Sequence, residues 1–419
     1  MKGVPMKKQI LAAVCFFAVA VLAVGCSQAA VSKPSVPSDT GEGEITSRQD
    51  VTTQNTSSHN TSSSTTACAT TSSDSHEKEE NTDCAQREAY LAGVNYRRYA
   101  LTGENEPFYI GRWFEKEIGG VSHRVTLTDG SYFCFLIEGA AFFDVNFTVI
   151  TTGEEPYFAY SIDGAEPVRR HITDSTVMLP DTGRHTVRVI ADGMTEGEGK
   201  WEKEKGFALR SVVPSEGGLL FGIRPTEKVI FFYGDSITEG VRALNMSATS
   251  NGNSATGAYA WKCAEALGVT PYLIGYGATG ILSKGSFHTM KNAIDYISEG
   301  RPVGDGVIPD VIVVNHGTND GRYSAEQFAS ALAETLAHLR AKYPEAPIVY
   351  LIPFSGTHAE TIRLTVKNIE NAYIVETAGW EISYTDRLHP DVAGAETAGQ
   401  LLAVALKDLF GEDYFRSSD

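Results

Sequence analysis

Val229-Ile-Phe-Phe-Tyr-Gly-Asp-Ser-Ile-Thr238 sets an uninterrupted apolar run directly against a Gly-Asp-Ser turn. A short apolar run with no polar alternation fits a strand buried on both faces, the kind found in parallel sheets covered by helices. The turn puts the hydroxyl of Ser236 at the carboxyl end of that strand, where open α/β sheets keep their ligand crevice. A serine so placed can act as a nucleophile if the chain also supplies a base, an orienting carboxylate and donors for an oxyanion.

Downstream of Arg224-Pro225, apolar strands alternate with longer amphipathic stretches, which predicts a parallel sheet flanked by helices. Val311-Ile-Val-Val314 and Ile348-Val-Tyr-Leu-Ile352 read as further buried strands. Between them Ser324 and Gln327 make a capping box, and Phe328, Leu332, Leu336 and Leu339 line one face of the helix it opens. The last helix is expected to start at Pro390 and to run through Leu401, Leu402 and Leu409. Three segments attach themselves to Ser236. Strand-like Pro271-Tyr-Leu-Ile274 ends in Gly275-Tyr-Gly-Ala-Thr-Gly280, strand Val311 to Val314 ends in Asn315-His-Gly-Thr-Asn-Asp320, and Thr385-Asp-Arg-Leu-His-Pro390 precedes the terminal helix.

In this order the four segments resemble the blocks GDS(I/L), a glycine block, GxND and DxxH of the SGNH, or GDSL-type, hydrolases, over roughly residues 228 to 410. The resemblance implies an α/β fold with a parallel sheet flanked by helices. The chemistry fits it. Ser236 would attack an ester carbonyl, and His389 would take its proton and return it to the leaving alcohol. Asp386, three residues before His389, would bond the far ring nitrogen and fix the tautomer. The oxyanion would be held by the Ser236 backbone N–H, the Gly277 backbone N–H and the Asn319 side-chain amide, with Gly280 competing for the place of Gly277. Asp235, Thr238 and Asp320 read as structural, bonding to nearby loop amides. His288 and His316 read as polar surface or supporting residues beside the cleft, and Trp261 and Trp380 as core packing. No pair of cysteines has the spacing of a zinc site, the histidines of the β region form no metal-like cluster, and no cofactor is implied.

Between about residues 88 and 224 the chain reads as short strands: Phe108 to Phe114, His123 to Leu127, Tyr132 to Ile137, Phe142 to Ile150, Tyr157 to Ile162, Thr186 to Ile190 and Phe207 to Val213. Turn signals such as Thr128-Asp-Gly130 and Asp181-Thr-Gly183 separate them, the pattern of an all-β sandwich or jelly roll. Placed before the GDSIT strand, this region resembles that of carbohydrate esterase family two, which pairs a jelly roll with an SGNH domain and removes acetyl groups from polysaccharides. Some members of that family lack the triad aspartate, whereas Asp386 stands here in the expected place.

Residues 1–26 carry Lys7 and Lys8, an apolar stretch from Ile10 to Val24 and then Gly25-Cys26, which reads as an export signal. The stretch falls short of the roughly 20 residues a spanning helix needs. Ala23-Val24-Gly25-Cys26 resembles the lipobox of bacterial lipoproteins, which implies acylation of Cys26 and a lipid-anchored protein at the membrane or cell surface. Residues 27–87 are so poor in large apolar side chains that they cannot offset chain entropy and read as a tether. Cys68 and Cys84 can pair there, while Cys134 and Cys263 fall in strand-like and helix-like stretches as core residues. The expected organisation is therefore a signal over 1–26, a tether over 27–87, a β domain over 88–224 and a hydrolase domain over 225–419.

A net charge of −17 without a basic cluster argues against a nucleic-acid partner. The reading that joins these parts is a serine esterase acting on acetylated polysaccharide or oligosaccharide. A GDSL-type lipase or lysophospholipase is the enzymatic alternative. A surface carbohydrate-binding protein with a degenerate hydrolase domain is the other, and the complete Ser, Gly, Asn, Asp and His set weighs against it. If Cys26 is acylated, the mature protein partitions into detergent and Cys26→Ser releases it or blocks processing. Recovery of the mature protein only as a soluble species beginning at another residue would remove the anchor and leave export untouched.

Overall fold

Between Tyr99 and Pro225 the chain folds into two antiparallel sheets in face-to-face contact. The computed structural model describes residues 99–416 apart from 305. The expected export signal and tether, with Cys26, Cys68 and Cys84, lie outside the described residues. The strands are β1 (Tyr99–Glu104), β2 (Phe108–Ile110), β3 (Trp113–Ile118), β4 (Val121–Thr126), β5 (Tyr132–Glu138), β6 (Phe142–Val149), β7 (Tyr157–Ile162), β8 (Val168–His171), β9 (Thr176–Met178), β10 (His185–Gly193), β11 (Phe207–Pro214) and β12 (Leu219–Pro225). One sheet runs in the order β1-β12-β5-β10-β7-β8 with β2 also on β5, and the other in the order β3-β4-β11-β6-β9.

The expected strand Phe108 to Phe114 is two strands in two different sheets. Gly111 breaks it, with φ of +97° and the Ser131 side chain packed so closely that no Cβ would fit. Ile110 therefore stays with β5 while Trp113 moves to β4. Strands β8 and β9, at the ends of their sheets, carry no alternation strong enough to announce themselves and were not anticipated.

After Pro225 the chain builds a five-stranded parallel sheet in the order β14-β13-β17-β18-β19, with β13 (Val229–Gly234), β14 (Thr270–Gly275), a small hairpin β15 (Tyr296–Ser298) and β16 (Arg301–Pro302), then β17 (Val311–Asn315), β18 (Ile348–Leu351) and β19 (Ala372–Val375). Helices Tyr259–Leu267, Ala325–Lys342, Ala359–Val366 and Val392–Phe410 contribute their apolar faces to the same core as these strands. Ser324 and Gln327 do form the reciprocal cap of the second of these. The last helix begins later than Pro390: Asp391 is its cap, its carboxylate accepting the Gly394 N–H at 2.8 Å, and Val392 is its first residue. An aspartate accepting at the cap outcompetes a proline that can only fill the first turn.

What joins the two lobes is β5, buried along nearly its whole length. Phe133, Phe135 and Ile137 face the interior of the sandwich, while Tyr132, Cys134 and Leu136 belong to the core of the α/β lobe. Tyr132 meets the ring of Trp261 edge-on at 5.7 Å, which settles Trp261 and Cys134 as packing residues. Polar contacts reinforce the seam. Asp192, fully buried at the end of β10, accepts from Arg169 Nε at 2.8 Å and from the Thr256 N–H at 2.9 Å, and Arg169 also bonds the carbonyl of Asn253 at 3.0 Å. Gly130 meets β14 so tightly that a Cβ there would stand 2.6 Å from Leu273 Cδ2.

A shared core implies shared unfolding. Trp261→Ala should lower stability by roughly 3–5 kcal/mol and shift one cooperative melting transition reported alike by sandwich and α/β probes. Two separate transitions, with only one displaced, would contradict the shared core.

Candidate active site

In the order β14-β13-β17 the chain reverses direction of travel across the sheet between β13 and β17, and the crevice of an open α/β sheet forms at such a point. The Gly-Asp-Ser turn leaves β13 there, and Asn315 to Asp320 leave β17 beside it. Ser236 opens a one-turn helix, Ser236–Glu239, whose cap is Asp235: its Oδ1 accepts the Ile237 N–H at 3.0 Å. Gly234 has no room for a side chain because Thr238 Oγ1 fills the space, held by the Tyr259 hydroxyl at 3.0 Å.

The structure brings Ser236, His389 and Asp386 together from positions 153 and 3 residues apart. His389 Nε2 lies 2.9 Å from Ser236 Oγ, and His389 Nδ1 lies 2.9 Å from Asp386 Oδ2. Burial alone would raise the Asp386 pKa. The His389 backbone N–H at 2.8 Å, the His389 ring, the Arg242 guanidinium and the Leu388 N–H outweigh it and hold the carboxyl well below the usual carboxylate range. An ionised Asp386 accepts from Nδ1–H, which leaves the lone pair of Nε2 to receive the serine proton. Arg242 was not anticipated. It sits in the turn after the nucleophile helix and 144 residues from Asp386, a separation that carries no spacing signal.

Gly277 and Gly280 prove to have different duties. Gly280 donates its N–H to the Ser283 carbonyl at 3.0 Å, and its missing side chain makes room for the Asp320 carboxylate. That carboxylate accepts the N–H groups of Ile281, Leu282 and Ser283 at 2.8, 3.0 and 2.8 Å, so Asp320 ties the glycine block to the block after β17. The N–H of Gly277 has no such partner among the described residues, as an oxyanion donor requires. Asn319 Nδ2 donates to Asp235 Oδ2 at 3.1 Å and to the Thr279 carbonyl at 2.9 Å, so its amide is aligned between β13 and β14 and shares its hydrogens with both. Burial, with the nearby charges of Asp320 and Glu239, pushes Asp235 up to about 7, although the Ile237 N–H opposes it.

His288 and His316 are not surface groups: both are buried. Burial draws their pKa values down to about 4 and about 3, so they stay neutral at physiological pH. Trp201 of the sandwich lobe stacks flat on His288 at 3.7 Å, and Tyr276 of the glycine block meets His288 edge-on. A second tie runs to the nucleophile helix itself. Glu239, three residues after Ser236, pairs with buried Lys200 of the sandwich lobe, which also donates to Asp129 at 3.0 Å. Trp380 is half-buried beside Phe354, at 6.2 Å. Among the described residues no group of His, Cys, Asp or Glu has the arrangement of a metal site.

Residues 232–397 match the model of the GDSL-like Lipase/Acylhydrolase family. No curated protein matches the chain. Among solved structures it is similar to a family two carbohydrate esterase from Clostridium thermocellum in complex with cellohexaose, at 20% identity and a TM-score of 0.59 over 73% of this chain and 100% of that one. It is also similar to an acetyl xylan esterase from the rumen bacterium Butyrivibrio proteoclasticus, at 16% identity and 0.57 over 75% and 99%. A salicylyl-acyltransferase from a tetracycline biosynthetic pathway shares the fold at 16% identity and 0.54 over 76% and 100%. At these identities the likeness speaks for the fold, which spans both lobes.

The Asp320 cradle yields a test. Asp320→Asn puts an amide donor against backbone N–H groups and should cost roughly 2–3 kcal/mol of stability, with turnover falling further as the glycine block shifts from Asn319. A wild-type urea midpoint and a wild-type rate would refute the cradle.

Proposed function

We propose that this chain, a carboxylic ester hydrolase with a GDSL-like acylhydrolase domain, is a serine esterase that removes short acyl groups, above all acetyl, from O-acetylated carbohydrate. The observation that carries the mechanism is the continuous relay Asp386, His389, Ser236, with both hydrogen-bond contacts at 2.9 Å. Ser236 Oγ attacks the ester carbonyl while its proton passes to His389 Nε2, and Asp386 stabilises the imidazolium. The oxyanion is held by the N–H groups of Ser236 and Gly277 and by Asn319, which yields its contact to Thr279 as charge develops. His389 then gives that proton to the departing sugar oxygen, which leaves an acetyl ester on Ser236, and water, activated by the same ring, releases acetate and restores the serine. The acetyl and carbohydrate preference is supported by the fold shared with a carbohydrate esterase seen with cellohexaose and with an acetyl xylan esterase. On this reading the sandwich lobe is a jelly roll that forms one wall of the cleft. The lipid anchor at Cys26 belongs to the same proposal, as the device that holds the enzyme at the cell surface near its polymer.

The expected outcome has two parts. Ser236→Ala should nearly abolish acetate release from acetylated xylan without loss of the folded state, and kcat/KM of the wild type should fall as the acyl chain lengthens from acetyl to octanoyl. A lipase groove would instead gain about 0.8 kcal/mol per buried methylene. A rate that climbs with chain length, and no acetate from xylan or mannan, would overturn the carbohydrate reading in favour of a lipase.

A further inference from the structure

One segment of the sandwich lobe reaches the neighbourhood of Ser236, and its backbone is fixed on both sides. It runs Gly193-Met-Thr-Glu-Gly-Glu-Gly-Lys200 after β10. The Met194 carbonyl accepts from Asn253 Nδ2 at 2.7 Å, the Thr195 hydroxyl accepts the Ser250 N–H at 3.2 Å and the Glu196 N–H donates to the Ala248 carbonyl at 2.9 Å. Further on, the Glu198 carboxylate accepts the Gly153 N–H at 3.0 Å, and Lys200 lies buried between Asp129 and Glu239. The Glu196 side chain is left to extend over the glycine block. A Cβ on Gly277 would stand 2.7 Å from Glu196 Cγ and 2.8 Å from its Oε1, so the absence of a side chain at 277 is what admits the glutamate. Glu196 is half-buried, and among the described residues its carboxylate meets neither a hydrogen-bond donor nor a cation.

An unpaired carboxylate in this place bears on the reaction. Negative charge develops at the N–H groups of Ser236 and Gly277 in the tetrahedral intermediate, and a fixed negative charge beside it raises the barrier for any ester that brings nothing to meet it. An ester of a polyol does bring something. A free hydroxyl next to the acylated oxygen can donate to the carboxylate while the carbonyl occupies the oxyanion hole, and such a charge-assisted bond is about twice as strong as a neutral one. An ester with an anionic group there is repelled, so the same group rejects as well as selects.

We propose that Glu196 is a specificity-determining residue, supplied by the sandwich lobe, that accepts a hydrogen bond from a free sugar hydroxyl neighbouring the scissile ester and thereby favours polyol esters over esters without that hydroxyl. The proposal rests on the carbohydrate-esterase reading above. It also assigns the sandwich lobe a direct part in substrate choice.

The test compares a methyl xyloside carrying one acetyl group beside a free hydroxyl with phenyl acetate, in the wild type, Glu196→Gln and Glu196→Asp. Glu196→Gln keeps the shape and removes the charge. It should lower kcat/KM on the sugar acetate roughly tenfold, as for a lost charged hydrogen bond, and raise it on phenyl acetate, where the repulsion of the oxyanion is relieved. Glu196→Asp keeps the charge but withdraws it by a methylene, and should also lower the ratio of the two rates. Methylating the neighbouring hydroxyl of the sugar should remove the advantage of the wild type and leave Glu196→Gln the faster enzyme, as on phenyl acetate. A ratio that neither variant changes, with the wild type active on the sugar acetate, overturns the role of Glu196 alone. A wild type that cleaves phenyl acetate but never the sugar acetate overturns the carbohydrate reading beneath it.

Discussion

Burial of β5 on both faces is the constraint from which the rest of the molecule follows. A strand that gives alternate side chains to two cores cannot be peeled from either, so Tyr132, Cys134 and Leu136 bind the sandwich into the α/β lobe. Each large apolar side chain fully removed from water contributes about 1.5–3 kcal/mol, and a domain's net stability is itself only about 5–15 kcal/mol. A few such residues therefore suffice to make the lobes one folding unit. With the lobes fixed, the segment after β10 has no freedom to swing away. Lys200 is then placed to pair with Glu239 of the nucleophile helix and Trp201 to cover His288.

The site depends on carboxylates whose surroundings differ. Asp386, given donors by His389, Leu388 and Arg242, stays ionised and holds the imidazole in one tautomer. Asp235, deeper and poorer in donors, is pushed toward neutrality and serves as a cap and as a partner for Asn319. Asp320 spends its charge on three backbone N–H groups, which keeps the glycine block in register with Asn319. Left-handed backbone at Ala278, Ser286 and Phe287 adds local strain beside Gly277. The Ser286 hydroxyl steadies that turn by donating to the Gly277 carbonyl at 2.9 Å.

Much of this was legible in the chain because the signals are local. An apolar run ending in Gly-Asp-Ser and an Asn-Asp pair after another such run each fix a strand end and the turn that leaves it, and Asp386 three residues before His389 fixes a short loop in which one side chain reaches the other. Asp235 and Asp320 accept backbone N–H groups as the same logic of short side chains expects, whereas Thr238 meets the hydroxyl of Tyr259 on a helix instead of a loop amide. What escaped was long-range. Arg242 meets Asp386 only once the α/β lobe has folded, Glu196 meets Gly277 only once both lobes have, and no periodicity relates such positions. The break at Gly111 was hidden for a related reason, since aromatic and apolar residues flank Gly111-Arg112 on both sides and the tight fit at Gly111 is set by Ser131, 20 residues away in the sequence. Of the two places expected for His288 and His316, at the surface or in support beside the cleft, burial excludes the first, and His288 is covered by the stacked ring of Trp201.

The most direct measurement is stoichiometric labelling of the wild-type protein with a fluorophosphonate, followed by peptide mass analysis alongside residual esterase activity. A relay centred on Ser236 predicts one adduct, on the peptide that contains Ser236, rising in step with the loss of activity. Complete modification of Ser236 with activity retained, or inactivation by an adduct elsewhere, would contradict it.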